Sequence, residues 1–70
     1  MIKKFYSTAD FKSMMLRLLN ASELHDGLEL QKLEAEIIDT YKETTMTHYQ
    51  YEALSHVCAV LLEDWRLNDK

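Results

Sequence analysis

The feature that most limits the possible folds is the near absence of turn-forming residues. The 70-residue chain contains no proline and a single glycine, Gly27. All-β folds need several tight turns, which depend on glycine and proline, so this composition argues against them. Hydrophobic residues make up 47% of the chain, a fraction typical of globular proteins and too high for a disordered segment. The sequence therefore predicts one all-α domain, since a chain this short has room for one core only.

The first helix is predicted from its start signals. Ser7 and Asp10 have the spacing of a capping box, and Tyr6 and Phe11 have the spacing of a hydrophobic staple. Beyond the cap, apolar residues recur at the i, i+3, i+4, i+7, i+8 spacing of one helical face. We expect a helix over about residues 8–20, with this apolar face: Phe11, Met14, Met15, Leu18 and Leu19.

The second helix has two candidate starting points. Ser22 could cap a helix that begins at Glu23, or Asp26 could cap one that begins at Gly27. A glycine inside a helix costs about 1 kcal/mol relative to alanine, which favours the later start. We expect a helix within residues 23–44, with a stripe of large apolar side chains: Leu30, Leu33, Ile37 and Tyr41.

The third helix repeats the capping pattern of the first. Thr47 and Gln50 form a Thr-x-x-Gln capping box, and Met46 and Tyr51 have the staple spacing. A helix over about residues 48–67 follows, with this stripe: Tyr51, Leu54, Cys58, Leu61 and Trp65. The predicted architecture is a three-helix bundle, in which a short first helix packs on a longer antiparallel helical hairpin.

The apolar surface of helices 2 and 3 is wider than one neighbouring helix can cover. Domains of this size seldom gain more than a few kcal/mol from a single core and often recruit a second chain. We therefore expect a homodimer or a complex with another protein, and we expect Glu34 at the rim of the core or at the interface. The predicted interface residues are Tyr49, Val57, Val60, Leu62 and Glu34.

Catalytic and metal-binding patterns are weak in this sequence. Cys58 is the only cysteine and lies in an apolar stretch, so we expect a buried structural thiol and no disulfide. His48, Glu52 and His56 share one helical face, but the two histidines are too far apart to hold one metal ion without an outside ligand. We expect a solvated face with a Glu52–His56 pair, no cofactor, no metal and no enzymatic activity.

The charge is unevenly distributed along the chain. Four cationic residues and one acid give residues 1–20 a charge of +3, and the net charge of −4 leaves −7 for the remainder. Nucleic-acid phosphates require cationic partners, so the acidic body disfavours binding to nucleic acid. A DNA-binding regulator remains the alternative, with phosphate contacts from Lys3, Lys4, Lys12 and Arg17.

Elimination leaves one main functional hypothesis. No apolar run approaches the roughly 20 residues that span a bilayer, and no signal peptide is recognisable, so we expect a cytoplasmic protein without membrane contact. We expect a small acidic interaction module of bacterial or phage type. It would act as a regulator, inhibitor or adaptor by occluding the surface of a partner protein.

Overall fold

The computed structural model describes residues 2–68 and contains three α-helices. They are α1 (Thr8–Glu23), α2 (Gly27–Glu43) and α3 (His48–Asn68). Each helix packs against the other two, which confirms the predicted three-helix bundle. The molecule is a rod of 46 × 18 × 18 Å, and α1 is nearly as long as α2.

Two reciprocal capping boxes fix where α1 and α3 begin. Ser7 Oγ accepts a hydrogen bond from the Asp10 backbone N–H at 3.1 Å, and Asp10 Oδ2 accepts one from the Ser7 N–H at 3.0 Å. Thr47 and Gln50 exchange the same pair of bonds at 3.1 and 3.0 Å. The bonds from the Ser7 backbone and hydroxyl lower the pKa of Asp10. Both caps predicted from sequence are confirmed.

The end of α1 lies further along the chain than predicted. The helix continues to Glu23 and closes with a Schellman motif. The N–H of His25 donates to the carbonyl of Ser22 at 3.1 Å. The N–H of Asp26 donates to the carbonyl of Ala21 at 2.9 Å. This closure places His25 at φ 53°, a left-handed conformation that glycine adopts more easily than histidine.

The start of α2 settles the choice that the sequence left open. Asp26 is the N-cap and its side chain accepts from the Glu29 N–H at 3.1 Å, whereas Ser22 lies inside α1 and caps nothing. Gly27 is buried, and a Cβ on it would overlap the indole ring of Trp65. The glycine therefore permits close contact between the start of α2 and the end of α3, in addition to marking a helix boundary.

The antiparallel arrangement of α2 and α3 follows from contacts at both ends. Gly27 meets Trp65 at one end, and at the other Tyr41 stacks on Tyr51 with ring centroids 4.4 Å apart. Between them, the thiol of Cys58 donates to the Leu30 carbonyl at 3.5 Å. The core also receives side chains from α1, the N-terminal segment and the α2–α3 connection. Its buried members are Tyr6, Met14, Leu18, Ala21, Leu30, Leu33, Ile37, Met46, Leu54, Cys58 and Leu62.

The burial of Leu62 corrects one predicted interface residue. The sequence stripe placed Leu61 in the core and left Leu62 for a partner, but Leu62 is 3% exposed and Leu61 is only partly buried. A strict seven-residue repeat drifts by about 20° per heptad on a straight helix. The buried side chains of α3 are therefore four residues apart, at Leu54, Cys58 and Leu62.

The N-terminal segment, residues 2–7, docks on the connection between α2 and α3. Lys4 forms an isolated parallel bridge with Thr44, and its carbonyl accepts from the Thr45 N–H at 2.9 Å. The N–H of Tyr6 donates to Thr45 Oγ1 at 2.9 Å. Burial, followed by the nearby carboxylates, raises the pKa of Tyr6. No local sequence motif indicates this docking, which holds the N-terminal segment against the bundle.

Candidate interaction surface

A second stripe runs along α3 on the side that faces away from the core. Its six positions are spaced four and three residues apart in alternation over the whole helix. Three of them carry large apolar side chains that are strongly exposed: Tyr49 (83%), Val60 (52%) and Leu67 (67%). We call this set the outer stripe: Tyr49, Ala53, His56, Val60, Glu63 and Leu67.

The packing of α3 determines that the outer stripe points away from the bundle. Cys58 is fully buried against α2. Each residue rotates the helix by about 100°, so Val60 points about 200° away from Cys58. Val60 is half-exposed for this reason, although it belongs to the most apolar part of the sequence. The core contacts therefore hold the outer stripe rigidly on one side of the rod.

A shallow depression of about 580 Å³ lies at the N-terminal half of the outer stripe. Ala53, with its small side chain, forms part of its lining between the larger side chains of Tyr49 and His56. Such a depression can receive one apolar side chain from a partner helix. The residues that line it are Tyr49, Tyr51, Glu52, Ala53, Ser55 and His56.

Charged residues border one long edge of the outer stripe. Glu52 lies near the N-terminal end of this edge and Arg66 near the C-terminal end, and both are exposed. Glu52 Oε1 lies 2.9 Å from His48 Nε2, so the structure pairs Glu52 with His48 and not with His56 as predicted. Among residues 2–68, Arg66 forms no salt bridge. This edge can offer both a carboxylate and a guanidinium group to a partner.

The predicted interface residues lie on the outer stripe, beside it or in the core. Tyr49 and Val60 both lie on the outer stripe, and Val57 is half-buried at its edge against the core. Glu34 is exposed and lines a depression of about 450 Å³ between α2 and α3. Glu63 and Leu67 of the outer stripe line the same depression, together with the buried Leu62. Two of the five predicted interface residues thus belong to the outer stripe. The alternating spacing from Tyr49 onward could have revealed the other four members, which are Ala53, His56, Glu63 and Leu67.

The predicted phosphate-binding residues do not form one basic surface. Arg17 binds Glu36 through two bonds of 2.5 and 3.2 Å, and this partner raises the pKa of Arg17. Lys4 lines the same groove, of about 400 Å³, which also contains the carboxylates of Asp10, Glu36 and Glu43. Lys3 and Lys12 are exposed. Because acids share the groove with Lys4 and Arg17, it is a poor site for a phosphate.

The acids of α2 that could imitate DNA phosphates are also partly engaged. The candidate acids are Glu29, Glu36, Asp39 and Glu43, and Glu36 is held by Arg17. A DNA mimic needs a continuous row of free negative charges at phosphate spacing. The charge of this series is reduced at its centre.

Nucleophilic and metal chemistry have little support in residues 2–68. Cys58 is buried, and burial raises the pKa of its thiol to about 11, so the reactive thiolate is suppressed at neutral pH. Within this part of the chain, no group of three or more histidine, cysteine, aspartate or glutamate residues is placed to hold a metal ion. None of the three helices is long and apolar enough to cross a membrane.

Comparisons of the chain with family models, curated proteins and solved structures found no match. The chemistry of the surface is therefore the only guide to function among the described residues. Among residues 2–68, the exposed large apolar side chains of the outer stripe extend further along one helix than those of α1 or α2.

Proposed function

We propose that this protein is a small interaction module that binds a helix of another protein along the outer stripe of α3. By covering that helix, it would act as a regulator, inhibitor or adaptor that occludes a surface of its partner. The observation that carries the proposal is the alignment of Tyr49, Val60 and Leu67, all more than half exposed, on the side of α3 opposite the core.

The spacing of the outer stripe suits a helical partner. Positions four and three residues apart form a continuous seam on one helix, and a second helix packs along such a seam with its own side chains between them. The first and last of the three exposed apolar side chains are 18 positions apart, which corresponds to about 27 Å of helix. A partner helix of about five turns can contact all of them.

The charge around the outer stripe favours a partner with basic flanks. Glu52, Glu63 and Asp64 are exposed on or beside the stripe, and the whole chain has a net charge of −4. Opposite charges at the rim of an interface speed association and exclude wrong partners. A partner helix with an apolar face and lysine or arginine beside it would match this surface.

The test is affinity capture from a nuclease-treated lysate of the source cells, with two matched variants. Val60→Glu places a charge in the outer stripe, and Leu16→Glu makes a similar change at an exposed position of α1. The proposal predicts a protein partner that the wild type and Leu16→Glu retain and that Val60→Glu loses. Circular dichroism must show that both variants remain helical.

Two other results would contradict the proposal. Capture that Val60→Glu does not weaken would place the binding surface elsewhere. Recovery that nuclease abolishes, and that neutral substitutions of the four basic N-terminal residues also abolish, would favour the DNA-binding alternative. Those substitutions are at Lys3, Lys4, Lys12 and Arg17.

A further inference from the structure

The outer stripe is complementary to itself when α3 is paired with a reversed copy of α3. We infer that a second copy of this chain binds there, so that two α3 helices pack antiparallel in a symmetric homodimer. This inference rests on the proposed function of the outer stripe as a helix-binding surface. It adds the identity of one occupant, its direction and its register.

The register follows from the positions of the large side chains. In the antiparallel pairing with the greatest overlap, Tyr49 lies beside Leu67 of the second copy, and His56 lies beside Val60 of the second copy. Both pairs occur twice because of the two-fold symmetry. Glu63 lies beside Ala53, the smallest residue of the stripe, so its carboxylate has room to reach water. The largest apolar contacts therefore lie at the two ends of the outer stripe.

The charges at the edge select the same register. Glu52 and Arg66 lie on the same edge of the stripe, and in this register Glu52 of each copy faces Arg66 of the other. Ala59 lies between them and meets Ala59 of the second copy near the two-fold axis. Its small side chain allows the helices to approach there. The two ion pairs and the apolar contacts of the outer stripe thus favour the same register.

A parallel pairing lacks this complementarity. In register, it would place His56 against His56 and Glu63 against Glu63, two contacts between like residues. Glu52 and Arg66 are 14 residues apart, which is about 21 Å along the helix, so they could not meet in that arrangement. The sequence of the outer stripe therefore favours the antiparallel dimer.

The size of the outer stripe indicates a weak, reversible dimer. It has three exposed apolar side chains per copy, far fewer than the 20–30 residues a side of a standard stable interface. We expect a dissociation constant in the micromolar range. Because a second copy and a partner helix need the same stripe, the dimer and the partner complex would exclude each other.

The decisive experiment is sedimentation equilibrium of two charge-reversal variants, alone and mixed. Glu52→Arg alone and Arg66→Glu alone each replace two attractive pairs with two repulsive ones, so each should weaken dimerisation about 10-fold or more. An equimolar mixture restores both pairs in a heterodimer, and its association should return to that of the wild type. Both residues are exposed, so helicity measured by circular dichroism should not change.

Matched controls change the net charge equally but lie away from the outer stripe. Glu23→Arg at the end of α1 controls for Glu52→Arg, and Lys12→Glu, also on α1, controls for Arg66→Glu. Both controls should dimerise within about two-fold of the wild type, apart from the general effect of net charge, which 0.15 M salt largely screens.

Clear results would overturn the inference. A wild-type chain that stays monomeric up to millimolar concentration would exclude the dimer. Equal dimerisation of the wild type and both variants, or no recovery in the mixture, would exclude this register. These results leave the proposed function separately testable, because the loss of a captured partner in Val60→Glu does not require self-association.

Discussion

The contact between Gly27 and Trp65 allows a prediction that opposes the usual rule for helices. Alanine in place of glycine normally stabilises a helix, by up to about 1 kcal/mol in its interior. At Gly27 the structure predicts the reverse. The new Cβ would fall within the indole ring of Trp65, and the nearest atoms are ring carbons and not the end of a flexible chain.

The size of the effect follows from what must move. Trp65 is partly buried against the core, and the Cβ cannot be accommodated unless the ring or the start of α2 shifts. Forced overpacking of a core costs about 1–3 kcal/mol, from which the helical gain of alanine must be subtracted. We expect Gly27→Ala to lower the free energy of unfolding by about 1–2 kcal/mol, with a fall in Tm of roughly 4–8 °C for each kcal/mol.

A double-mutant cycle with Trp65→Leu separates the steric cost from other effects. Urea denaturation, followed by circular dichroism at 222 nm, gives the unfolding free energy of all four proteins. With the indole removed, Gly27→Ala should become neutral or stabilising. Two results would refute a steric clash with Trp65. Either Gly27→Ala is as stable as the wild type, or Gly27→Ala lowers the free energy of unfolding equally with Trp65 and with leucine at position 65.

Four further predictions concern local features of the bundle. His25→Gly should stabilise the protein by about 0.5–1 kcal/mol, because φ is 53° at this position and glycine adopts this conformation without strain. In urea denaturation, His25→Ala should show no such gain. Equal stability of the two variants would contradict this prediction. The thiol of Cys58, with a pKa of about 11, should resist alkylation at pH 8 until urea unfolds the chain, and rapid modification of the native protein would contradict its burial. The same pKa predicts falling stability as pH rises from 9 toward 11, since the unfolded thiol releases its proton first, and Cys58→Ala should flatten this dependence. A double-mutant cycle on Arg17 and Glu36 should give a coupling energy of about 0.2–1 kcal/mol. Added salt should reduce this coupling energy, because both side chains are about half exposed. A coupling energy that salt does not change would show that the two residues do not form an exposed ion pair.

The helices were predictable because their signals are local. The capping boxes at Ser7 and Thr47 lie within four residues of chain, and each determines one helix start without help from distant residues. The end of α1 was misplaced because its Schellman closure uses His25 in a left-handed conformation, where sequence rules expect glycine. Local chemistry was sufficient except where a residue adopts a conformation that its type disfavours.

The surface proposed as an interface was harder to predict because it depends on which side of each helix the core takes. Leu62 and Val60 are similar in character and two residues apart, yet one is buried and the other half-exposed. The choice between them is made by the helical phase of the whole bundle, which the seven-residue stripe described inaccurately. The docking of Tyr6 on Thr45 joins residues 39 positions apart, and no short motif announces it.

The central claim about self-association is that two copies of this protein meet along the outer stripe of α3. The most direct measurement is a series of ¹H–¹⁵N correlation spectra of the labelled protein, recorded from micromolar to millimolar concentration. The account predicts concentration-dependent amide shifts at Ala53, Val60 and Leu67, while the exposed Leu16 on α1 stays unchanged. Spectra that do not change with concentration, or shifts confined to α1 and α2, would contradict it.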